Sequence, residues 1–152
     1  TAALIAFSHG SNDAQKAMGI ITLALLSAGS IPSLDVPTWV KFACALSMSL
    51  GTAVGGWKII KTMGTGIARL EPFSGCAVEI TSSLVIFSAT LLHLPVSTTH
   101  VVSGSIMGIG ASNRIRSVRW GVARQMLVAW VLTIPLSALA SGLIYYVSQK
   151  LF

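Results

Sequence analysis

Charge is what this sequence lacks most. Of its 152 residues only 9% are charged, and the acids number four. Soluble domains carry about a quarter charged residues. A chain this poor in charge, with mean hydropathy +0.80, belongs in a bilayer. Cysteine is scarce too: Cys44 and Cys76 both fall inside apolar runs, which suits small packing residues rather than a disulfide or zinc pair. There is no P-loop, Rossmann glycine pattern, Gly-x-Ser-x-Gly elbow or His-Glu-x-x-His pair, so nucleotide and hydrolytic motifs are missing. Long polar loops are missing as well. The chain opens on Thr1 rather than Met and is read as a fragment, or a half, of something longer.

What is present is a succession of apolar segments. The first, roughly 2–28, has a polar centre, Ser8 to Gly19, that carries Asp13, Lys16, His9 and four neutral polar side chains. Ionisable groups at membrane depth are costly and usually face a bundle interior. His9-Gly10-Ser11-Asn12 is poor helix, so a first helix broken there is expected, as in secondary transporters. A turn at 29–37 leads to a second span, 38–57, where Gly51 and Gly55 stand at GxxxG spacing. A glycine-containing connector with Lys58, Lys61 and Arg69 ends at Pro72. The third run, 73–94, places Glu79, Ser82, Ser83, Ile86, Thr90 and His93 on one helical face. Pro95 breaks it. The fourth segment, 96–111, is short for a crossing and holds Gly104 and Gly108, again at GxxxG spacing. The last span, 122–147, contains Pro135 and runs out into Tyr145, Tyr146 and Lys150, which fit a headgroup boundary.

The net charge of +6 would suit nucleic acid, but the bases sit at the ends of apolar runs and read as topology signals. Lys58 to Arg69 and Arg114 to Arg124 are expected on the cytoplasmic side, with the base-poor 29–37 opposite. The two limbs between them then enter and leave on one side, either as two crossings or as a re-entrant hairpin tipped by 94–100. The short fourth limb and the polar tip favour the hairpin. Either way the number of crossings is odd, so a second copy of the unit would lie upside down.

Three groups of residues carry chemistry. Ser97 and Thr98 are good N-cap residues, and the helix after them would aim free N–H groups and its positive dipole end at the tip. With the hydroxyls of Ser97, Thr98 and Thr99 this makes a candidate site for a tetrahedral oxyanion; plain helix capping is the alternative. Asp13 and Glu79 are candidate cation or proton sites, Lys16 offering Asp13 an internal ion pair while Glu79 has no base within a turn. Glu79 could instead be a neutral acid hydrogen-bonded to Ser82 and Ser83. His9, His93 and His100 flank these groups without a role of their own. Two rival readings share the residues: a channel, and an intramembrane hydrolase using Ser97, His100 and Asp13.

Phe7-Ser-His-Gly-Ser-Asn-Asp-Ala-Gln-Lys-Ala-Met-Gly19 and Leu94-Pro-Val-Ser-Thr-Thr-His-Val-Val-Ser-Gly104, with Glu79 between them, resemble the inorganic phosphate transporter (PiT) family. The resemblance covers most of the chain and is to the C-terminal of two homologous halves. It implies an all-α polytopic membrane protein, half of an inverted-repeat transporter, with 1–152 a single half-repeat. It also implies phosphate symport with a proton or sodium. Asn12 and Asp13 match the family's Asn-Asp pair, Glu79 its intramembrane glutamate, and Ser97, Thr98, Thr99 and His100 its Ser-Thr-Thr-His loop. Many members carry Asn where this chain has Lys16; the motif here is closer to bacterial, proton-linked members, and a fixed ammonium beside Asp13 would stand in for a sodium ion. The expected assignment is therefore phosphate at Ser97, Thr98 and Thr99, with Asn12 and Gln15 adding donors. The coupling cation falls to Asp13, Glu79 and Lys16, with sodium at Asp13 and Asn12 left open. No cofactor and no enzymatic activity are expected. The expected partners are inorganic phosphate, a proton or sodium, the missing N-terminal half and the lipid bilayer of a bacterial inner membrane. A homodimer is left open, and an anion channel or a carrier for another oxyanion such as arsenate is the alternative.

Overall fold

The computed structural model describes residues 1–151. It contains α1 (Ala2–Ser27), α2 (Thr38–Lys61), α3 (Pro72–Leu91), α4 (Thr98–Asn113) and α5 (Trp120–Leu151). A π-turn (Thr62–Gly66) continues α2, and a short 3-10 turn (Ile115–Ser117) follows α4. No strand forms among the described residues. By length and composition α3 and α5 can each cross a membrane, and α2 with its bent continuation makes a third. The chain is an all-α polytopic membrane protein. It divides into two compact units, Thr1–Val118 and the segment from Arg119 onward, which is α5.

The first unit buries small polar side chains alongside apolar ones such as Val40, Ile67 and Ile86. The buried positions of α1 are Ser8, Asn12 and Thr22, and those of α3 include Ser82 and Ser83. Large apolar side chains point outward, as at Phe7, Trp39, Phe42, Val54 and Phe73. In lipid an outward Leu or Phe loses nothing, whereas small side chains inside let helices approach closely and keep polar groups out of hydrocarbon.

Two contacts fix how α1 and α3 run. Thr1 meets Glu79 and Asn12 meets Thr90, a constant offset, so the two helices pack directly and run parallel, while α2 packs on α1. α3 and α4 form the hairpin. Its base is closed by a bridge between Ala68 and Val118, where Gly110 is required: a Cβ there would meet Val118 Cγ2 at 3.0 Å and Ala68 Cβ at 3.2 Å. The bridge gathers the basic stretches around Arg69, Arg114 and Arg116 at one end of the unit. Its other end, the tip at 92–97, lies beside the middle of α1. From Lys16 α1 continues eleven residues to Ser27, about 16 Å beyond the tip at 1.5 Å per residue.

Four expectations need correction. The first helix is not broken: α1 runs without interruption through His9-Gly10-Ser11-Asn12. One glycine in a helix costs only about 1 kcal/mol, and Ser8 and Asn12, which could compete with the helix, are bonded in ways that leave it intact. Ser8 Oγ bonds the Leu4 carbonyl one turn back, and Asn12 reaches across to Thr90. The GxxxG pairs do not mark close helix contact in this unit, since a Cβ at Gly51, Gly55, Gly104 or Gly108 would meet nothing within 4 Å. The connector after residue 57 is helical as far as Gly66. His93 is not on the α3 face, because α3 ends at Leu91 and His93 takes φ 57° in the cap. There the Leu94 N–H donates to Ala89 O and the His93 N–H to Thr90 O, a Schellman closure that Pro95 then makes final. Gly29, at φ 69°, ends α1 the same way, ahead of Pro32.

Candidate functional site

The site forms where the hairpin tip meets the middle of α1. His9, Asp13 and Lys16 lie on one face at helical spacing, and the tip delivers Val96, Ser97 and Thr98 to that face. Asp13 Oδ1 accepts from Lys16 Nζ at 2.9 Å. Asp13 Oδ2 lies 2.8 Å from His9 Nε2 and accepts from the Thr98 hydroxyl at 3.2 Å. Lys16 Nζ also donates to the Val96 carbonyl at 2.5 Å. The Asp13 side chain is 24% exposed, against 46% for His9 and 34% for Lys16, so the cluster is half sunk and open on the His9 side.

Ser97 caps α4, its Oγ accepting the His100 N–H at 3.4 Å. Thr98 is buried, while Ser97 and Thr99 are exposed at the same tip. The first amides of a helix have no partner inside it and carry its positive dipole end, so the tip offers an anion both N–H groups and hydroxyls. Below it, Asn12 Nδ2 donates to Thr90 Oγ1 at 3.2 Å, and Thr90 donates on to Ile86 O at 2.9 Å. Asn12 Oδ1 is left buried without a partner. The α4 N-terminus thus sits one hydrogen bond from a carboxylate.

The chain matches the phosphate transporter family over residues 1–141. The chain belongs to that family. A Bacillus subtilis (strain 168) protein named "Probable low-affinity inorganic phosphate transporter" is 54% identical, the alignment covering 100% of this chain and 46% of that protein. A Rhizobium meliloti (strain 1021) protein of the same name is 46% identical over 98% of this chain and 45% of its own length. The "Sodium-dependent phosphate transporter 1-A" of Danio rerio is 34% identical, with 97% of this chain and 24% of that protein aligned. This chain therefore spans less than half the length of these relatives. No solved structure matches it.

Within this phosphate transporter family chain, the other expected site residues are not all at the cluster. Glu79 is apart from it. It lies eleven residues before Thr90 on α3, about 16 Å along the axis. Its carboxylate accepts from the Thr1 hydroxyl, and Ser83 Oγ donates to the Glu79 main-chain oxygen rather than to the carboxylate. Gln15 is exposed on α1, outside the hydrogen-bonded group. The histidine on Asp13 is His9, not the His100 of the hydrolase reading. Cys44 and Cys76 are both free. Two further participants are Thr90 and the Val96 carbonyl. Thr90 was visible as part of the α3 polar face, but its partner was not. The Val96 carbonyl has no side-chain signature at all, and only an unwound segment at the right place makes it available.

Proposed function

We infer that this chain is one half of a carrier that moves inorganic phosphate with a cation, the proton before sodium, by alternating access. The observation that supports this most is the meeting of the α4 N-terminus with Asp13 through Thr98. It sets donors suited to an oxyanion beside an acid suited to a cation, so binding of one changes the field felt by the other. In this reading Ser97, Thr98, Thr99 and the first α4 amides bind phosphate, and Gln15 and Asn12 add donors from α1 once α1 moves against the hairpin, since Asn12 is now buried on Thr90 and Gln15 faces outward. Asp13 and Glu79 serve the cation. Preference for the proton rests on the occupancy of Asp13: Lys16, His9 and Thr98 already hold its oxygens, and an added sodium would face a fixed ammonium. Glu79, with no base one turn away, is then the proton carrier. The remaining length of the relatives would hold the N-terminal half and the rest of the site, in a bacterial inner membrane.

Phosphate uptake by the complete carrier in proteoliposomes, with pH and sodium gradients imposed separately, tests the reading. Uptake should follow the pH gradient, be indifferent to sodium, and lose its drive in Glu79→Gln. Uptake that needs sodium at fixed pH would remove the proton assignment, and no phosphate uptake under either gradient would remove the carrier reading.

A further inference from the structure

Lys16 holds two oxygens from two elements at once. One is Asp13 Oδ1, three residues back on α1; the other is the carbonyl of Val96 on the hairpin tip. An i,i+3 ion pair on a helix is commonplace and stabilises it only slightly. The second contact is what sets this lysine apart. Val96 lies between Pro95 and the cap residue Ser97, in the stretch that belongs to neither α3 nor α4. No helical N–H follows its carbonyl, so this acceptor needs a donor or a cation from elsewhere.

A carboxylate oxygen and an unwound peptide carbonyl make a ligand pair that hard cations take, and broken backbone at membrane depth commonly coordinates sodium in this way. Here the charge is covalently attached. We propose that Lys16 is a positioning residue, a tethered ammonium that latches the hairpin tip onto α1 and stands where a free monovalent cation would otherwise bridge Asp13 and the Val96 carbonyl. The latch holds the tip at the Asp13 level without drawing an ion from solution. It also repels a second cation, because like charges a few ångströms apart repel strongly at low effective dielectric.

The inference rests on reading the tip as the solute-facing part of a carrier, but its test does not depend on uptake. In the complete carrier, Cys44 and Cys76 are changed to Ala and Val96→Cys serves as reporter, its main-chain carbonyl retained. The rate at which a small permeant maleimide modifies position 96 is the readout. Lys16→Met, of similar length and no charge, should raise that rate about tenfold or more, the loss of a hydrogen bond to a charged group. Exchanging choline for sodium at constant ionic strength should slow the Lys16→Met carrier again and leave the parent unchanged. Lys16→Arg, which keeps the charge, should stay slow. Equal rates in the parent and Lys16→Met would overturn the latch, and a raised rate that ignores sodium would overturn the ammonium's standing in for a cation. A sodium-sensitive parent would overturn it without any change at position 16, so the outcome does not hang on the folding of Lys16→Met. Phosphate uptake can fail while the latch stands, and the latch can fail while uptake stands.

Discussion

Asp13 is crowded. Its two oxygens serve Lys16, His9 and Thr98, and each donor comes with a different consequence. Lys16 neutralises the charge, His9 closes the open side, and Thr98 ties the carboxylate to the first turn of α4. Thr98 has a single hydroxyl proton and gives it to Asp13, so in the proposed carrier it links the tip to the acid and reaches phosphate by releasing that bond. Thr98→Val keeps the shape and removes the hydroxyl. A hydrogen bond to a charged partner contributes roughly 1.5–3 kcal/mol, so phosphate affinity should fall about tenfold or more. Ser97→Ala removes the α4 cap, a loss of about 1 kcal/mol, and should weaken binding less. Tracer phosphate binding to the purified carrier measures both; unchanged affinity in the pair would take the tip out of the phosphate site. At this scale some of the site could be read in advance. Lys16 stands one turn from Asp13, and Ser97 is a cap by type, whereas His9 joins them only because α1 runs unbroken through the stretch expected to break. The Val96 carbonyl could not be read, because every residue has one and only the tertiary fold selects which carbonyl meets an ammonium.

α1 and α3 are ended by caps and not by weak interiors. Gly29 and His93 each take a left-handed conformation and close a Schellman pattern, whereas Gly10 sits in the body of α1 without ending it. The difference is a matter of neighbours. Around Gly10 the polar side chains find partners that leave the helix intact, Ser8 on the Leu4 carbonyl one turn back and Asn12 across on Thr90, so nothing repays leaving the helix. Gly10→Ala should therefore be neutral or stabilise the protein by up to about 1 kcal/mol, since a Cβ there meets nothing within 4 Å. Gly110→Val should destabilise by about 1–3 kcal/mol, because its side chain runs into Val118 and Ala68 at the hairpin base. Thermal unfolding of the purified carrier in detergent compares the two. A destabilising Gly10→Ala would contradict the unbroken α1, and a neutral Gly110→Val would contradict the close base.

At the scale of the whole molecule the question is how deep the hairpin reaches. The Ala68–Val118 bridge sets the basic stretches together at the hairpin base, and the tip stops beside the middle of α1. Both are what a re-entrant hairpin requires, with the Arg-rich base on the cytoplasmic side and the tip at membrane depth. Single cysteines test this topology in intact membranes. Arg69→Cys and Arg116→Cys should react with a bulky impermeant reagent from the same, cytoplasmic side, and Leu94→Cys should be shielded from both sides. Ready labelling of position 94 from the side opposite Arg69 would turn the two limbs into full crossings.

Element type, approximate limits and membrane habitat were determined by the sequence alone, because they follow from local quantities: apolar run length, proline and glycine at the ends, bases at the margins. The α1 and α4 residues that would carry the chemistry were legible for a similar reason, since a polar group inside an apolar run stands out against its surroundings. What the sequence could not determine was which of those groups meet. Asp13 with Thr98, Asn12 with Thr90 and Lys16 with Val96 are pairs separated by 78 to 85 positions along the chain. Their meeting depends on the register between α1 and the α3–α4 hairpin. The same register sets Glu79 a long way down α3 from Asp13, although the sequence presents them as a matched pair of acids. Register is decided by packing of small side chains across the whole helix interface, and no local stretch contains that information.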